Sequence, residues 1–238
     1  ATIFGGTRML IKFALTNLLK KTYYNQLKYS YQNKPALEKN VIFVHIPKSA
    51  GTSIHKSFFG RLSGFGHSPA QRYIKIYGLI DYYASFRFAF VRNPFDRVVS
   101  TYKYLSQGGN NSNDKIFFEK YMSKYDSFDD FILNGLKHSK VIQNQIHFRT
   151  QCSFIFEKNR CLVNFIGRFE NIESDYKYLS NIIGTDSPLM FTNKSNTTSS
   201  YTDYYQNKKV IEVIKNIYKC DFEKLGYDED VAFSHTLG

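Results

Sequence analysis

The chain of 238 residues has the length of one domain, and its 42% hydrophobic content, with 22 Phe and 19 Tyr, excludes an intrinsically disordered protein. Three cysteines are too few for a disulfide-built scaffold, and no spacing suggests a metal site. The net charge of +12 favours a polyanionic partner, but charge alone does not choose among nucleotides, nucleic acids, acidic glycans and membrane surfaces.

The first forty residues are predicted to form a helix and a linker. Residues 9–32 have the composition of a helix with a basic, Tyr-rich end, and residues 33–40 are polar. No apolar run is long enough to span a bilayer, and residues 9–21, which include Lys12, favour an amphipathic helix over a signal peptide. We therefore divide the chain into an N-terminal helix and linker, residues 1–40, and a single domain, residues 41–238.

Three apolar segments predict buried strands of a parallel sheet. They are residues 41–46 (VIFVHI), 86–91 (FRFAFV) and 162–169 (LVNFIGRF). Segments with helical spacing follow each of them, and a last helix is predicted at about 206–224. Alternating strands and helices predict an α/β fold with a central parallel sheet flanked by helices.

The loop after the first strand has the features of an anion-binding site. It reads Pro47-Lys48-Ser49-Ala50-Gly51-Thr52-Ser53 and leads directly into a helix. The unpaired N–H groups of a helix N-terminus can face one anion, and Gly51 allows close approach of the backbone. Lys48 adds a positive charge, whereas the G-x-x-x-x-G-K-[ST] pattern of ATPases and GTPases is absent.

A second motif follows the second strand and reads Arg92-Asn93-Pro94-Phe95-Asp96-Arg97-Val98-Val99-Ser100. Arg92 stands at the strand end and Ser100 on the next helix, so both can reach one phosphate. An alternative is that Arg92 pairs with Asp96 and Ser100 is merely helical.

Together these motifs resemble those of the sulfotransferases that use 3′-phosphoadenosine-5′-phosphosulfate (PAPS), especially the carbohydrate branch with Golgi and bacterial members. That family has a P-K-[TS]-[AG]-[GS]-T-S loop for the 5′-phosphosulfate and an R-[ND]-P-x-x-R-x-x-S motif for the 3′-phosphate. The segment IGRFENIESDYKYL, residues 166–179, is also similar to one seen in many members. The resemblance covers about residues 41–227 and implies the P-loop-like, three-layer fold of that family.

The resemblance implies a role for each motif residue. The 5′-phosphosulfate would be bound by Lys48, Ser49, Ala50, Gly51, Thr52 and Ser53, and the 3′-phosphate by Arg92 and Ser100. Lys48 would also stabilise charge on the leaving phosphate. Lys194 lies in a long polar loop that could close over the cofactor or the acceptor, or simply be a flexible loop.

For the general base we favour His67, because histidine titrates near neutrality and a catalytic histidine of some relatives lies in a similar interval. Glu170 is the alternative, since other members use a glutamate. His147 and Arg149 are candidate acceptor-binding residues in an H-x-R-x-Q segment that also occurs in some relatives, although a structural role is equally open. His45, inside the first predicted strand, and His55 are expected to be packing residues.

The sequence thus predicts an O-sulfotransferase that moves a sulfuryl group from PAPS to a hydroxyl of a glycan or glycolipid. The excess positive charge suits an acidic acceptor, and nucleic acid is not expected as a partner. The alternatives are a non-catalytic module that binds heparin or nucleic acid, an ATP-dependent P-loop kinase, and a fold that binds PAPS without transfer. A cytoplasmic enzyme of bacterial type is favoured over a Golgi lumenal one whose anchor lies outside this sequence.

Overall fold

The computed structural model describes residues 3–190 and 200–231, with side chains from residue 14 onward. Its centre is a parallel sheet of three strands, β1 (Val41–Phe43), β2 (Phe86–Val91) and β5 (Phe165–Arg168). β2 lies in the middle, so the spatial order is β1-β2-β5. A short antiparallel hairpin joins β3 (Phe156–Glu157) to β4 (Arg160–Cys161).

Helices occupy most of the remaining described chain. Their bounds are α1 Ile3–Lys28, α2 Lys34–Glu38, α3 Gly51–Phe59, α4 Ala70–Tyr77, α5 Leu79–Ala84, α6 Pro94–Ser106, α7 Ser112–Tyr121, α8 Phe128–Asp130, α9 Lys140–Gln143, α10 Cys152–Ile155, α11 Ile172–Ile183, α12 Lys208–Ile217 and α13 Lys219–Leu225. A π-helical turn, Phe131–Leu136, continues α8, and 3₁₀ turns occur at Phe169–Asn171 and Tyr201–Tyr204. No described helix has both the length and the apolarity needed to cross a membrane.

The sheet is buried on both faces, as a parallel sheet requires. Alternate residues of β1 point to opposite sides: Ile42 packs with α4 and α10, and Phe43 packs with α3 and α11. A third group of buried side chains joins α6, the π-helical turn, α12 and α13 beside the sheet. The predicted α/β fold with a central parallel sheet between helices is confirmed, while the domain division at residue 40 stays a prediction.

The bounds of four predicted elements were wrong. The first helix, predicted at residues 9–32, is α1, Ile3–Lys28, and the predicted linker contains α2. β1 ends at Phe43 rather than at residue 46, and β5 begins at Phe165 rather than at residue 162. The last predicted helix is two helices, since α12 ends before Tyr218, whose hydroxyl donates to the buried carbonyl of Phe148 at 2.7 Å. All three cysteines are free thiols.

Candidate functional site

Both predicted motifs lie at the carboxyl edge of the sheet, one after β1 and one after β2. The backbone of the first loop is in the left-handed region at two non-glycine residues, Lys48 with φ 66° and Ala50 with φ 60°. Left-handed residues that alternate with right-handed ones turn successive N–H groups to one side, which is the geometry of an anion nest. The first α3 hydrogen bond runs from Ile54 N–H to Ala50 O, so Gly51 and Thr52 N–H groups have no partner within the helix.

The loop also holds a buried hydroxyl that lacks a partner. Ser49 is 1% exposed, and its Oγ makes no hydrogen bond to any described residue. Leaving a buried hydroxyl without a partner costs about 1–3 kcal/mol, so such groups are rare unless a ligand satisfies them. This hydroxyl fits a phosphate-type ligand seated in the nest.

Gly51 is required because His45 lies against it. A Cβ atom on Gly51 would stand 1.7 Å from His45 Nε2, so no other residue fits without moving the ring. The end of β1 at Phe43 is what brings this imidazole under the loop. His45 was predicted to lie inside the first strand. It instead follows β1 and packs against Gly51 of the anion nest.

Three histidines form a row beside the loop. The ring centroids of His45 and His67 are 4.2 Å apart, and those of His67 and His147 are 5.5 Å apart. A fourth histidine, His55, packs 5.1 Å from His45 and accepts a hydrogen bond from Ser63 N–H at Nδ1. Burial lowers the pKa of His55 to about 3, which agrees with the predicted packing role.

The tautomer of His67 follows from its one backbone contact. Its Nδ1 lies 3.3 Å from the carbonyl oxygen of His45, and because a carbonyl only accepts, Nδ1 carries the proton of the neutral ring. Nε2 therefore keeps its lone pair. Burial, with smaller contributions from Arg97 and Lys48, lowers the pKa of His67 below 6.5, so the ring is a neutral base at neutral pH.

His147 is held in the opposite tautomer. Gln145 Oε1 accepts from His147 N–H at 2.7 Å, which turns the Gln145 amide nitrogen toward His147 Nδ1 at 3.0 Å. Nδ1 is then the acceptor, and the proton of the neutral ring is on Nε2. Burial and the neighbouring His67 lower the pKa of His147 to about 4.

Lys48 lies over an aromatic ring. Its Nζ is 4.1 Å from the centroid of Tyr104, a cation–π contact. Burial and the charge of Arg92 lower the pKa of Lys48 to about 8. Most Lys48 side chains are still cationic at neutral pH, and the charge is poorly hydrated, which strengthens its effect on an anion.

Arg92 is paired, as the alternative predicted. Its Nε and Nη2 donate to the two carboxylate oxygens of Asp96 at 2.7 and 2.8 Å. Nη1 donates to Lys48 O at 3.2 Å, and the guanidinium stacks 4.0 Å from the centroid of Phe169. Arg92 therefore ties the second motif to the first, and these bonds do not use every N–H of the guanidinium.

Arg97 is the structural centre of the second motif. It is fully buried and donates to the carbonyls of Pro47, His147 and Arg149 at 3.1, 2.9 and 2.7 Å. One side chain thus fixes the first loop against residues 147–149. Thr101 adds a bond from its hydroxyl to His147 O at 3.2 Å.

Gln151 locks the end of β2 in a similar way. Its side-chain amide accepts from Arg92 N–H at 2.9 Å and donates to Arg92 O at 2.8 Å. The backbone N–H groups of Gln151 and Cys152 both donate at 2.8 Å to the buried carboxylate of Asp221. In the H-x-R-x-Q segment the glutamine is therefore structural, while the side chain of Arg149 lies 5.1 Å over Phe154.

The remaining predicted residues are not all brought together. Glu170 lies on the β5 side of Arg92, where its oxygens accept from Asn93 N–H at 2.5 Å and Tyr227 hydroxyl at 3.0 Å. Ser100 lies on α6 as expected, and Ser53 is buried in the first turn of α3. Lys194 lies outside the described residues.

Two site residues were missed from the sequence. Tyr104 on α6 supports Lys48, and Asp114, in the first turn of α7, lies 3.9 Å from His147 Nδ1. Helical spacing from Ser100 would have placed Tyr104 one turn further along the same face. No local signal marks Asp114.

The comparisons with known proteins identify a family for this chain. The family model described as "Sulfotransferase family" matches residues 36–228. A curated relative, carbohydrate sulfotransferase 9 of Homo sapiens, is 26% identical over 156 residues, which are 58% of this chain and 34% of that protein. The match thus spans about a third of the relative's length, and no solved structure matches. With the family model covering most of the chain, this protein belongs to the sulfotransferase family.

Proposed function

We propose that this protein transfers a sulfuryl group from PAPS to a carbohydrate hydroxyl. The observation that carries the proposal is the neutral imidazole of His67, with its Nε2 lone pair available, beside the cation of Lys48 at an anion nest. A base and a cation next to an anion site are the two groups that such a transfer requires.

The nest fits a phosphosulfate group on three observations. The hydroxyl of Ser49 lacks a partner, the left-handed Lys48 and Ala50 turn N–H groups to one side, and Gly51 has no room for a Cβ. We assign the 5′ end of PAPS to residues 48–53 and its 3′-phosphate to Arg92 and Ser100. Arg92 would bind with N–H groups that Asp96 and the Lys48 carbonyl leave unused.

The chain supplies proton transfer and charge. When bound, PAPS supplies a sulfuryl group joined to phosphate through an oxygen. His67 Nε2 would take the proton of the acceptor hydroxyl as that oxygen bonds to sulfur. Lys48 would stabilise the negative charge on the phosphate oxygen that the sulfuryl group leaves. His67 Nδ1–H keeps its bond to His45 O, which favours the imidazolium that results.

Glu170 is a weaker candidate for the base. Its carboxylate already accepts two hydrogen bonds, and Glu170 follows β5, on the other side of β2 from the loop that holds Lys48. His67 has the unused lone pair, and Lys48 is near enough for its charge to lower the His67 pKa.

A carbohydrate acceptor is supported by the relative's name and by the charge of the chain. Carbohydrate sulfotransferase 9 is 26% identical to this chain over 156 residues, and the net charge of +12 suits an acidic oligosaccharide. His147, whose ring packs 5.5 Å from that of His67, and Arg149, two residues further along the chain, are the acceptor contacts we propose.

The test is calorimetric titration with adenosine 3′,5′-bisphosphate, the product of PAPS, beside ADP at moderate salt without Mg²⁺. We expect tight binding of the bisphosphate and weak binding of ADP. Equally weak binding of both would contradict the proposal and favour a polyanion-binding module with strong salt dependence. If a repeat titration with Mg²⁺ showed a preference for ADP, a kinase would be favoured. A screen of glycan acceptors with PAPS then tests transfer itself.

A further inference from the structure

Lys48 is connected to a buried carboxylate through one aromatic side chain. Its Nζ lies over Tyr104, and the Tyr104 hydroxyl donates to Asp114 Oδ2 at 2.6 Å. Lys48 belongs to the loop after β1, Tyr104 to α6 and Asp114 to the first turn of α7. Three separate elements thus converge on one chain of contacts.

Asp114 is held as a fixed acceptor. It is 5% exposed, and Oδ2 also accepts from Asn111 Nδ2 at 2.7 Å and from Asn110 N–H at 3.4 Å. Gly109 makes room for it, since a Cβ there would stand 2.3 Å from Asp114 Cβ. The other oxygen, Oδ1, faces His147 at 3.9 Å. Helix capping alone does not require a carboxylate oxygen to accept hydrogen bonds from this many donors.

The charged and titratable groups around Lys48 explain what the carboxylate does. From the end of β2, Arg92 opposes the cation, and His67 and His147 lie near enough to feel its charge. Asp114 is the group that favours the Lys48 cation, against burial and Arg92, which both disfavour it. A lysine that must stabilise a leaving group in a dry site has to remain charged.

We propose that Asp114 is a positioning residue for Lys48, which it holds cationic and in place through Tyr104. A phenol that donates a hydrogen bond to a carboxylate has a more electron-rich ring, so its attraction for the ammonium group increases. The carboxylate also attracts the cation directly across the ring. The role of this lysine in transfer rests on the proposed function, but its position and charge do not.

The first experiment measures Lys48 itself in the ligand-free protein. Competitive acetylation across pH 6–10, read by mass spectrometry of the Lys48 peptide, gives the pH midpoint of its reactivity without any transfer reaction. In Asp114→Asn, which preserves the shape of the side chain, we expect the midpoint to fall by about 1 unit. An unchanged midpoint in a folded variant would overturn the proposal.

Asp130→Asn is the matched control. Asp130 also lies in the first turn of a helix, and its oxygens accept from Asp126 N–H at 3.1 Å and Asn134 Nδ2 at 2.6 Å within that segment. The same loss of charge there should leave the Lys48 midpoint where it is in the unmodified protein. A midpoint that falls equally in both variants would contradict a specific role for Asp114.

Tyr104→Phe keeps the ring and removes the hydroxyl link. It should lower the Lys48 midpoint less than Asp114→Asn does, and it decides the matter alone if Asp114→Asn does not fold. An unchanged midpoint would then overturn the proposal. If transfer is detected, the alkaline limb of its pH profile should move with the midpoint. If no transfer is detected in any form, the proposed function fails while the labelling result still stands.

Discussion

The two strand ends of the site differ in how their polar groups are satisfied. At the end of β2, Arg92 is paired with Asp96 and clamped by Gln151, and the buried Arg97 has three carbonyl partners. At the end of β1, the Ser49 hydroxyl has no partner among the described residues and His67 Nε2 keeps its lone pair. Bonds already made hold a structure in shape, while unmade ones remain for a ligand.

This difference assigns separate work to the two regions. The β2 end and residues 147–152 form a scaffold whose loss should reduce stability. The β1 loop and the histidine row form the reactive part, whose loss should reduce transfer with little effect on folding.

The largest effect is expected for His67→Gln. We expect the rate of transfer to fall by about 10²–10⁴-fold, because the glutamine amide cannot take the proton of the acceptor hydroxyl as the imidazole does. Initial rates of sulfuryl transfer from PAPS measure it, and affinity for adenosine 3′,5′-bisphosphate should stay within about twofold. Lost nucleotide affinity would make His67 a binding residue instead. Activity that survives in His67→Gln and disappears in Glu170→Gln would assign the base to Glu170.

A similar loss is expected for Lys48→Ala, about 10²–10³-fold in kcat, since a cation at the leaving oxygen is removed. The pH profile of kcat/KM in the unmodified protein should show both groups. It should rise as the neutral form of His67 appears, below pH 6.5, and fall as Lys48 loses its proton near pH 8. In Lys48→Ala the alkaline fall should disappear. Activity near that of the unmodified protein would refute the leaving-group role.

How much of the fold and of the site the sequence predicts depends on whether the contacts are local or tertiary. The three strands and both loops follow from local patterns, because apolar runs, Gly51 and the Asn93–Pro94 turn act within a few residues. Asp114 and the partners of Arg97 depend on tertiary contacts between α6, α7 and residues 147–149. Nothing in the local sequence of those segments records such contacts.

The strand bounds failed for a related reason. Residues 44–46 are as apolar as a strand, yet after Val44, whose N–H still bonds to Phe88 O, the chain leaves the sheet to bring His45 under Gly51. A site requirement thus overrides the pattern. Likewise, α12 ends at Ile217, and the hydroxyl of the next residue, Tyr218, donates a tertiary hydrogen bond to Phe148 O that the local sequence does not reveal.

In the scaffold, Arg97→Met should destabilise the fold. The carbonyls of Pro47, His147 and Arg149 would stay buried without their donor, at a cost of about 3 kcal/mol or more. Urea unfolding followed by circular dichroism measures it. Arg72→Met, at an exposed arginine of α4, makes the same substitution away from these carbonyls and should change stability by about 0.5 kcal/mol or less. A loss under about 1 kcal/mol in Arg97→Met would mean that water replaces the guanidinium.

The smallest expected effect separates the two regions most sharply. Ser49→Ala removes a buried hydroxyl that has no partner, so stability should be unchanged or rise by about 1 kcal/mol. Affinity for adenosine 3′,5′-bisphosphate should nonetheless fall by about 3–10-fold, since the ligand loses a hydrogen bond. Unfolding and calorimetry on the same preparation measure both, with Ser57→Ala as control, because the Ser57 hydroxyl already donates to Ser53 O at 2.8 Å. That control should lose stability and keep its affinity. If Ser49→Ala instead loses stability and binds the bisphosphate normally, the Ser49 hydroxyl belongs to the scaffold. The reactive region of the β1 loop would then include Lys48 but not the Ser49 side chain.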